Sequence, residues 1–232
     1  MDNRTEQLAD GVWRVEVGFY INTFVLANDG HGDGDGLTLI DTGRRRDGPR
    51  LVRSVRMLGL DPRGIGAVLL THCHPDHAGS AARFATSSAS SQVWVGERDL
   101  ATVHGKAPQP PMPLPVRLLA RIMGDVRPVP EARPLVDGTE LAPAGGVRTV
   151  AAPGHTPGHC AFLLPERGVL LAGDAVWNVW FLSRGPRFLC SETPAVPATL
   201  RRLAALEFDT LAMAHGPPVT TRARDRLACL VP

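Results

Sequence analysis

Residues 71–80, THCHPDHAGS, place three histidines and one aspartate within six consecutive positions. An apolar segment, AVLLT, comes directly before them and predicts a buried strand that ends at the motif. Pro75 ends the strand, and the residues after it open a helix. A buried imidazole without a binding partner is energetically costly. Donor atoms packed this closely along the chain therefore need a partner that they share. The donors on this loop are His72, His74, Asp76 and His77.

Three further candidate ligands lie far along the chain, each after a short apolar segment and beside a glycine. They are His155 in APGHTPGH, Asp174 in AGDA and His215 in AHGPP. Five of the eight histidines therefore fall at predicted strand ends, which chance does not explain. Imidazole together with carboxylate suits Zn²⁺ or Fe²⁺, and one loop rarely completes the coordination shell of a metal. The sequence predicts a metal site assembled from several distant segments.

The order of the predicted elements indicates the fold class. Short apolar strands followed by amphipathic helices occur in the first half of the chain and again after residue 146. This order predicts an α/β protein with two sheets packed face to face and helices outside. No Ser/Gly-rich or charged linker divides the chain, so we expect one domain over 1–232. A proline-rich arm followed by one helix is predicted at about 106–134.

Composition restricts the partners and the compartment. A formal net charge of +2 argues against a nucleic-acid partner. The sequence has no run of about 18 apolar residues and no apolar stretch of the signal-peptide type near residue 1, so we expect neither a membrane partner nor export. Four scattered cysteines without a CxxC pair favour reduced thiols. We therefore expect a cytoplasmic protein acting on a small molecule, and the oligomeric state stays open.

Taken together, THCHPDH, GHTPGH, GDA and AHG, with LIDTG upstream, resemble the metallo-β-lactamase superfamily and are most similar to its glyoxalase II-like branch. The resemblance implies the αββα four-layer sandwich and two divalent metal ions, with zinc favoured and iron or manganese as alternatives. By the same resemblance, one ion would be held by His72, His74 and His155. The second would be held by Asp76, His77 and His215. Asp174 would bridge the two ions, as a carboxylate with two oxygens can.

The resemblance also implies a hydrolase that cleaves an ester, thioester or lactone of a small metabolite. Two ions would lower the pKa of a bridging water toward about 7, and the resulting hydroxide would attack the carbonyl carbon. Asp76 is the expected catalytic residue, orienting the hydroxide and carrying a proton. Many β-lactamases of the superfamily have cysteine where this chain has Asp174, so antibiotic hydrolysis is not expected.

Two other functions fit the same residues. A persulfide dioxygenase of this superfamily would use one Fe²⁺ held by His72, His155 and Asp174. A non-catalytic metal-dependent binding module ranks last, because all seven ligands are present. A lactonase of the acyl-homoserine type is not favoured, because those enzymes use a tyrosine near the metals. Tyr20, the only tyrosine of this chain, is predicted within the second strand.

Several residues are candidates for supporting or pocket roles. Asp41 in LIDTG either caps the helix after it or supports the histidine loop, and we favour support. His159 is expected beside the ligands without binding metal. The segment after the bridging aspartate borders the pocket in this family, which makes Trp177, Trp180 and Phe181 pocket candidates. The arm is predicted either to pack on a sheet or to form a lid over the pocket. Its pocket candidates are Met112, Leu118, Arg117 and Arg121.

Overall fold

Twelve strands in two sheets form the framework of this structure, a computed structural model that describes residues 4–28, 36–87, 91–111, 113–114, 126–141 and 146–231. The first sheet contains β1 (Thr5–Ala9), β2 (Val12–Gly18), β3 (Ile21–Ala27), β4 (Leu37–Ile40), β5 (Ile65–Leu70), β6 (Gln92–Gly96) and β7 (Arg133–Leu135). The second contains β8 (Glu140–Leu141), β9 (Val147–Ala151), β10 (Cys160–Leu164), β11 (Val169–Leu171) and β12 (Thr210–Ala212).

Both sheets are mixed. In the first, the strands lie in sequence order; β1 to β4 pair antiparallel and β4 to β7 pair parallel. In the second, the order is β12-β11-β10-β9-β8, with only the β11 and β12 pair parallel. Strands β9, β11 and β12 consequently run in the same direction, so their carboxyl ends meet at one edge of the sheet.

Side-chain alternation along the strands divides the interior into three apolar layers. In β5, Leu69 packs between the two sheets, whereas Val68 and Leu70 face the outer side of the first sheet. In β10, Phe162 belongs to the layer between the sheets and Leu163 to the outer side of the second sheet. Because successive strand residues point to opposite faces, strands covered on both sides become continuous apolar runs.

Helices cover the two outer faces. They are α1 (Gly48–Met57), α2 (Pro75–Ala78), α3 (Ala81–Ser87), α4 (Leu100–Val103), α5 (Val196–Ala204) and α6 (Ala223–Ala228). Leu51 and Val55 of α1 pack against the first sheet. Leu203 of α5 and Leu227 of α6 pack against the second sheet. The predicted αββα sandwich is confirmed, and no helix among the described residues is long and apolar enough to cross a membrane.

Edge strands are where the sequence patterns failed. The strands β1, β7 and β8 were not predicted, and β7 lies partly inside the interval assigned to the arm. Edge strands bury one side at most, so their alternation is weak, and Pro134 in β7 is tolerated because an edge strand need not donate on both sides. Within the arm, residues 112 and 115–125 lie outside the described part of the chain.

The helix predicted to open after Pro75 is divided into α2 and α3. At the junction, the Ser80 backbone N–H donates to the hydroxyl of Thr42 at 3.2 Å. Gly79 packs so tightly against the segment after β4 that a Cβ atom there would lie 2.5 Å from the backbone nitrogen of Arg45. The tertiary contact with the segment after β4 therefore interrupts the helix, which helical periodicity alone could not reveal.

Candidate metal centre

The seven predicted ligands come from both sheets and converge at one edge of the sandwich. His72 follows β5, His74 flanks the amino end of α2, and Asp76 and His77 lie within α2. On the second sheet, His155 follows β9, Asp174 lies in a single 3₁₀ turn after β11, and His215 follows β12. Loops at strand ends present side chains from a rigid framework, which allows donors from distant positions to meet.

One group of donors consists of His72, His74 and His155, all buried, with one ligand atom of each within 4.8 Å of the others. Nδ1 of His74 lies 2.9 Å from Nε2 of His155. Two nitrogens bound tetrahedrally to one zinc ion are separated by about 3.3 Å, given zinc–nitrogen bonds near 2.0 Å. The spacing of this group therefore suits a shared cation.

A second group consists of Asp76, His77 and His215. Oδ2 of Asp76 lies 3.7 Å from Nε2 of His77 and 3.5 Å from Nε2 of His215. The Asp76 side chain retains 17% of its accessibility, whereas His77 is fully buried. This group thus offers two imidazoles and one carboxylate that also reaches the solvent side.

Asp174 lies between the two groups. Its Oδ2 atom is 3.4 Å from Nε2 of His155 and 3.3 Å from Nε2 of His215. Its Oδ1 atom is 3.6 Å from Nε2 of His77. A single buried carboxylate therefore contacts donors of both groups.

The charges of the site favour a bound cation. Burial lowers the pKa of His77, but the carboxylates of Asp174, Asp76 and Asp41 outweigh burial and raise that pKa to about 10. Burial raises the pKa of Asp174, yet nearby imidazoles, first that of His215, hold it well below the ordinary value. Buried anions that retain their charge need a compensating positive charge, which a proton or a metal ion can supply.

Unsatisfied buried atoms point to the same conclusion. Nε2 of His72, Nε2 of His77 and Oδ1 of Asp174 are buried and have no hydrogen-bond partner. Buried polar atoms are nearly always satisfied, so three orphan donor atoms at one point need an additional partner. The residues present consequently fit divalent metal ions.

The ring nitrogens that face away from the candidate metal centre have hydrogen-bond acceptors of their own. Nδ1 of His77 donates to Oδ2 of Asp41 at 2.8 Å, and Nδ1 of His215 donates to the carbonyl oxygen of Tyr20 at 2.9 Å. The Thr71 hydroxyl donates to Asp41 at 2.7 Å and lies 3.0 Å from Nδ1 of His72. An imidazole that donates through one nitrogen keeps the lone pair of the other for a metal. The Nε2 atoms of these histidines are therefore the metal-facing ones.

Asp41 does not cap the following helix, because α1 begins seven residues later and Asp47 flanks its amino end. Instead, it accepts hydrogen bonds from Thr71 and His77 while fully buried. Its backbone has a φ of +59°, a left-handed conformation that aspartate tolerates better than most residues. The turn therefore places this carboxylate behind the histidine loop.

His159 also lies beside the ligands. Its Nε2 atom accepts a hydrogen bond from the backbone N–H of Asp174 at 2.9 Å, so that nitrogen holds the turn carrying the shared carboxylate. Burial lowers the pKa of His159 to about 4, so the ring is neutral at neutral pH and can accept this bond.

The three aromatic pocket candidates occupy different positions. The ring of Trp177 contacts that of His215, with centroids 4.2 Å apart. Trp180 and Phe181 are 89% and 70% exposed. A small recess beside His155 and Asp174 is also lined by Arg184 and Cys190. The remaining candidates, Met112, Leu118, Arg117 and Arg121, lie outside the described residues.

Sequence reasoning missed four supporting groups. Thr71 and the Tyr20 carbonyl contact ligand histidines. Gln109 of the arm donates to the carbonyl oxygen of Cys73 at 3.1 Å. Asp99 contacts two ligand loops. Tyr20 lies in the turn between β2 and β3, not within a strand as predicted. Tyr20, Gln109 and Asp99 belong to no spacing pattern, since each acts through a contact between distant segments, whereas Thr71 lies in the histidine motif itself.

Comparison with protein families assigns the chain. The family model described as the metallo-beta-lactamase superfamily matches residues 17–215, which includes every candidate ligand. The chain belongs to this superfamily. The match covers most of the chain and includes strands of both sheets, in agreement with the observed sandwich.

Within the superfamily, the chain is similar to several bacterial proteins. It is 29% identical to protein YobT of Bacillus subtilis over 68% of this chain and 62% of that protein. It is 28% identical to the N-acyl homoserine lactonase AttM of Azorhizobium caulinodans, over 84% and 75% of the two chains. It is 32% identical to a hydroxyacylglutathione hydrolase of Cupriavidus taiwanensis, over 67% and 51%. The chain thus spans less than two thirds of YobT and about half of the last relative.

Solved structures of the superfamily show the same fold. The metallo-beta-lactamase family protein TTHA1429 of Thermus thermophilus superposes with a TM-score of 0.71 at 27% identity, covering 96% of this chain and 79% of that one. TTHA1623 in a di-iron-bound form superposes with a TM-score of 0.65 at 29% identity, covering 89% and 93%.

Proposed function

We propose that this protein is a dinuclear metal hydrolase that cleaves an ester, thioester or lactone of a small metabolite, of the glyoxalase II-like type. The observation that supports the proposal is the position of Asp174, whose one oxygen lies 3.4 Å from His155 and 3.3 Å from His215. These histidines belong to the two separate donor groups. A buried carboxylate in contact with both groups has the placement that a shared ligand of two cations needs.

The residues that would hold the ions are His72, His74 and His155 for one, Asp76, His77 and His215 for the other, and Asp174 for both. When bound, divalent ions such as zinc, iron or manganese polarise a carbonyl and lower the pKa of water toward about 7. Asp76 is the accessible carboxylate of the set and is suited to receive a proton from water and return it to the leaving group. We assign it this catalytic role.

Support for the substrate class comes from relatives. AttM is called an N-acyl homoserine lactonase, and another relative is called a hydroxyacylglutathione hydrolase. A lactone is a cyclic ester and an acylglutathione is a thioester, so the two substrates share an acyl carbonyl with a good leaving group. The contact of Tyr20 with His215 is made by its backbone carbonyl, so support for a lactone comes from the similarity to AttM alone. Lactones and thioesters are therefore both included in the test.

The test combines metal analysis with a substrate panel. We expect the purified protein to contain two metal equivalents and to hydrolyse at least one of an aryl ester, an acyl thioester and a lactone. The Asp174→Ala variant removes the shared ligand and should lower kcat/KM at least 10²-fold, with bound metal falling to one equivalent or less. At most one tightly bound equivalent in the wild type, with full turnover in Asp174→Ala, would contradict the dinuclear proposal.

The panel also separates the alternatives. A persulfide dioxygenase needs only His72, His155 and Asp174, which leaves Asp76, His77 and His215 without a role. Oxygen uptake with glutathione persulfide by the iron-loaded protein, and none by the zinc-loaded protein, would favour that enzyme over ours. Hydrolysis of a cephalosporin in preference to every other compound would contradict the proposed substrate class. Tight binding of a small molecule without any turnover would favour a binding module.

A further inference from the structure

Asp99 is a fully buried carboxylate between two ligand loops. It ends the 3₁₀ turn Glu97–Asp99 that follows β6, and its exposed fraction is 1%. Oδ2 accepts hydrogen bonds from the backbone N–H of Cys73 at 3.1 Å and from the hydroxyl of Thr156 at 2.7 Å. Oδ1 accepts from the backbone N–H of Gly158 at 2.8 Å. Cys73 lies between two ligand histidines, and Thr156 directly follows the third.

The contact therefore joins two loops that are about eighty residues apart in the sequence. Both loops contribute to the same donor group, because His72 and His74 flank Cys73 and His155 precedes Thr156. The 2.9 Å approach of His74 to His155 occurs across this junction. A displacement of either loop would separate these two nitrogens directly.

The surrounding backbone leaves little freedom at this junction. A Cβ atom at Gly158 would lie 2.4 Å from the backbone nitrogen of Asp99 and 2.7 Å from its Cγ atom. A Cβ atom at Gly96 would lie 1.8 Å from the carbonyl oxygen of Gly158. Because such approaches are possible only for glycine, the turn after β6 and the loop after β9 are in direct backbone contact.

Stability alone is a poor explanation for this arrangement. No described lysine or arginine side chain forms an ion pair with Asp99, so neutral donors alone solvate its carboxylate. A buried carboxylate held in this way is costly, and apolar residues would stabilise a protein interior better. Groups that hold ligand loops from behind determine metal affinity, and their replacement typically weakens binding 10- to 100-fold.

We propose that Asp99 is a positioning residue that holds the loop of His72 and His74 against the loop of His155. This inference rests on the proposed metal centre. It predicts that Asp99 acts on the affinity and geometry of the first donor group and leaves the second group, Asp76, His77 and His215, largely unaffected.

The experiment titrates metal-free protein with Zn²⁺ against a chromophoric chelator and records the visible spectrum of the Co²⁺-loaded protein. Asp99→Asn replaces one acceptor oxygen by an N–H donor, so the backbone N–H of either Cys73 or Gly158 loses its acceptor. We expect the affinity for one of the two ions to fall 10- to 100-fold, with an altered Co²⁺ spectrum. Asp47→Asn is the matched control, since Asp47 is also buried but contacts Arg44 and no ligand loop. It should lower stability without changing metal affinity or the spectrum.

A second pair of variants tests the inference if Asp99→Asn does not fold. Thr156→Val removes one donor to Asp99 at similar volume and should weaken metal binding, and Thr156→Ser should restore most of the lost affinity. Equal Zn²⁺ affinities and Co²⁺ spectra in wild type and Asp99→Asn, or in Thr156→Val, would overturn the role of Asp99. A wild-type protein that binds no divalent ion would instead contradict the proposed function itself.

Discussion

Burial lowers the pKa of two histidines of the candidate metal centre. His72 and His155 have pKa values held well below the ordinary value by burial and, for His72, by the imidazoles around it. A neutral imidazole is the form that binds a metal. Hydrogen bonds to neighbouring groups then fix the tautomer. The Thr71 hydroxyl, for example, lies 3.0 Å from Nδ1 of His72 and accepts a hydrogen bond from it. His72 and His155 are thus neutral before any metal binds.

The same effect gives a prediction for the cysteines. Burial, with smaller contributions from Asp99 and Asp137, raises the pKa of Cys160 to about 12. Below that pH the group is a thiol, so at pH 8 only about one molecule in 10⁴ carries the reactive thiolate. Cys229 is exposed. We expect iodoacetamide at pH 8 to label Cys229 in the folded protein and Cys160 only after unfolding, as measured by mass spectrometry.

Cys160 packs between the two sheets, so its labelling also reports whether the sheets separate. Labelling of Cys160 as fast as that of Cys229 in the folded protein would contradict the packed layer between the sheets. The Cys229→Ser variant provides the control, because it removes the reaction of the exposed thiol, and peptide mapping separates Cys160 from the remaining Cys73 and Cys190.

At the scale of elements, strands place the ligands and the outer helices supply packing. α1 contributes no donor, and its buried Leu51 packs on the outer face of the first sheet. We expect Leu51→Ala to lower the free energy of unfolding by about 2–5 kcal/mol, because it leaves a cavity that the helix and sheet cannot fill. Urea denaturation measures this loss.

The metal content of the folded Leu51→Ala protein should equal that of the wild type. Loss of metal from a variant that remains folded would show that α1 positions the ligand loops, contrary to its place in the fold. If Leu51→Ala lowers the free energy of unfolding by less than about 1 kcal/mol, Leu51 is less tightly packed than its complete burial indicates.

For the whole molecule, the donor groups connect the two sheets. His72 and His74 come from the first sheet, whereas His155, Asp174 and His215 come from the second. A ligand that binds only the folded state stabilises it by about 4 kcal/mol when its free concentration is 1,000 times its Kd. Metal binding should therefore stabilise the association of the sheets.

We expect chelation to lower the midpoint of thermal unfolding and added Zn²⁺ to restore it in a concentration-dependent manner. Asp174→Ala should show a smaller shift, because it removes the ligand that contacts both groups. Calorimetry at fixed protein concentration provides the measurement. Identical midpoints with and without the chelator, in protein shown to have bound metal beforehand, would contradict this coupling.

The seven ligand candidates and the layered fold could be read from local patterns, since motif spacing and alternating apolar residues are properties of short segments. The contacts of Asp41, Asp99 and the Tyr20 carbonyl could not be read in this way. Each of them depends on which distant segments become neighbours, as Cys73 and Thr156 do around Asp99.

The sequence by itself determined the chemistry of the site, because donor atoms are fixed by residue type. It also determined that two apolar sheets form, because their interior strands are continuous apolar runs. Only the tertiary structure decided that Asp174 contacts both donor groups, that Asp99 joins two ligand loops, and that α2 and α3 are separate helices. These features arise from close packing between segments far apart in the chain, where hydrogen-bond partners and steric limits exist only after folding.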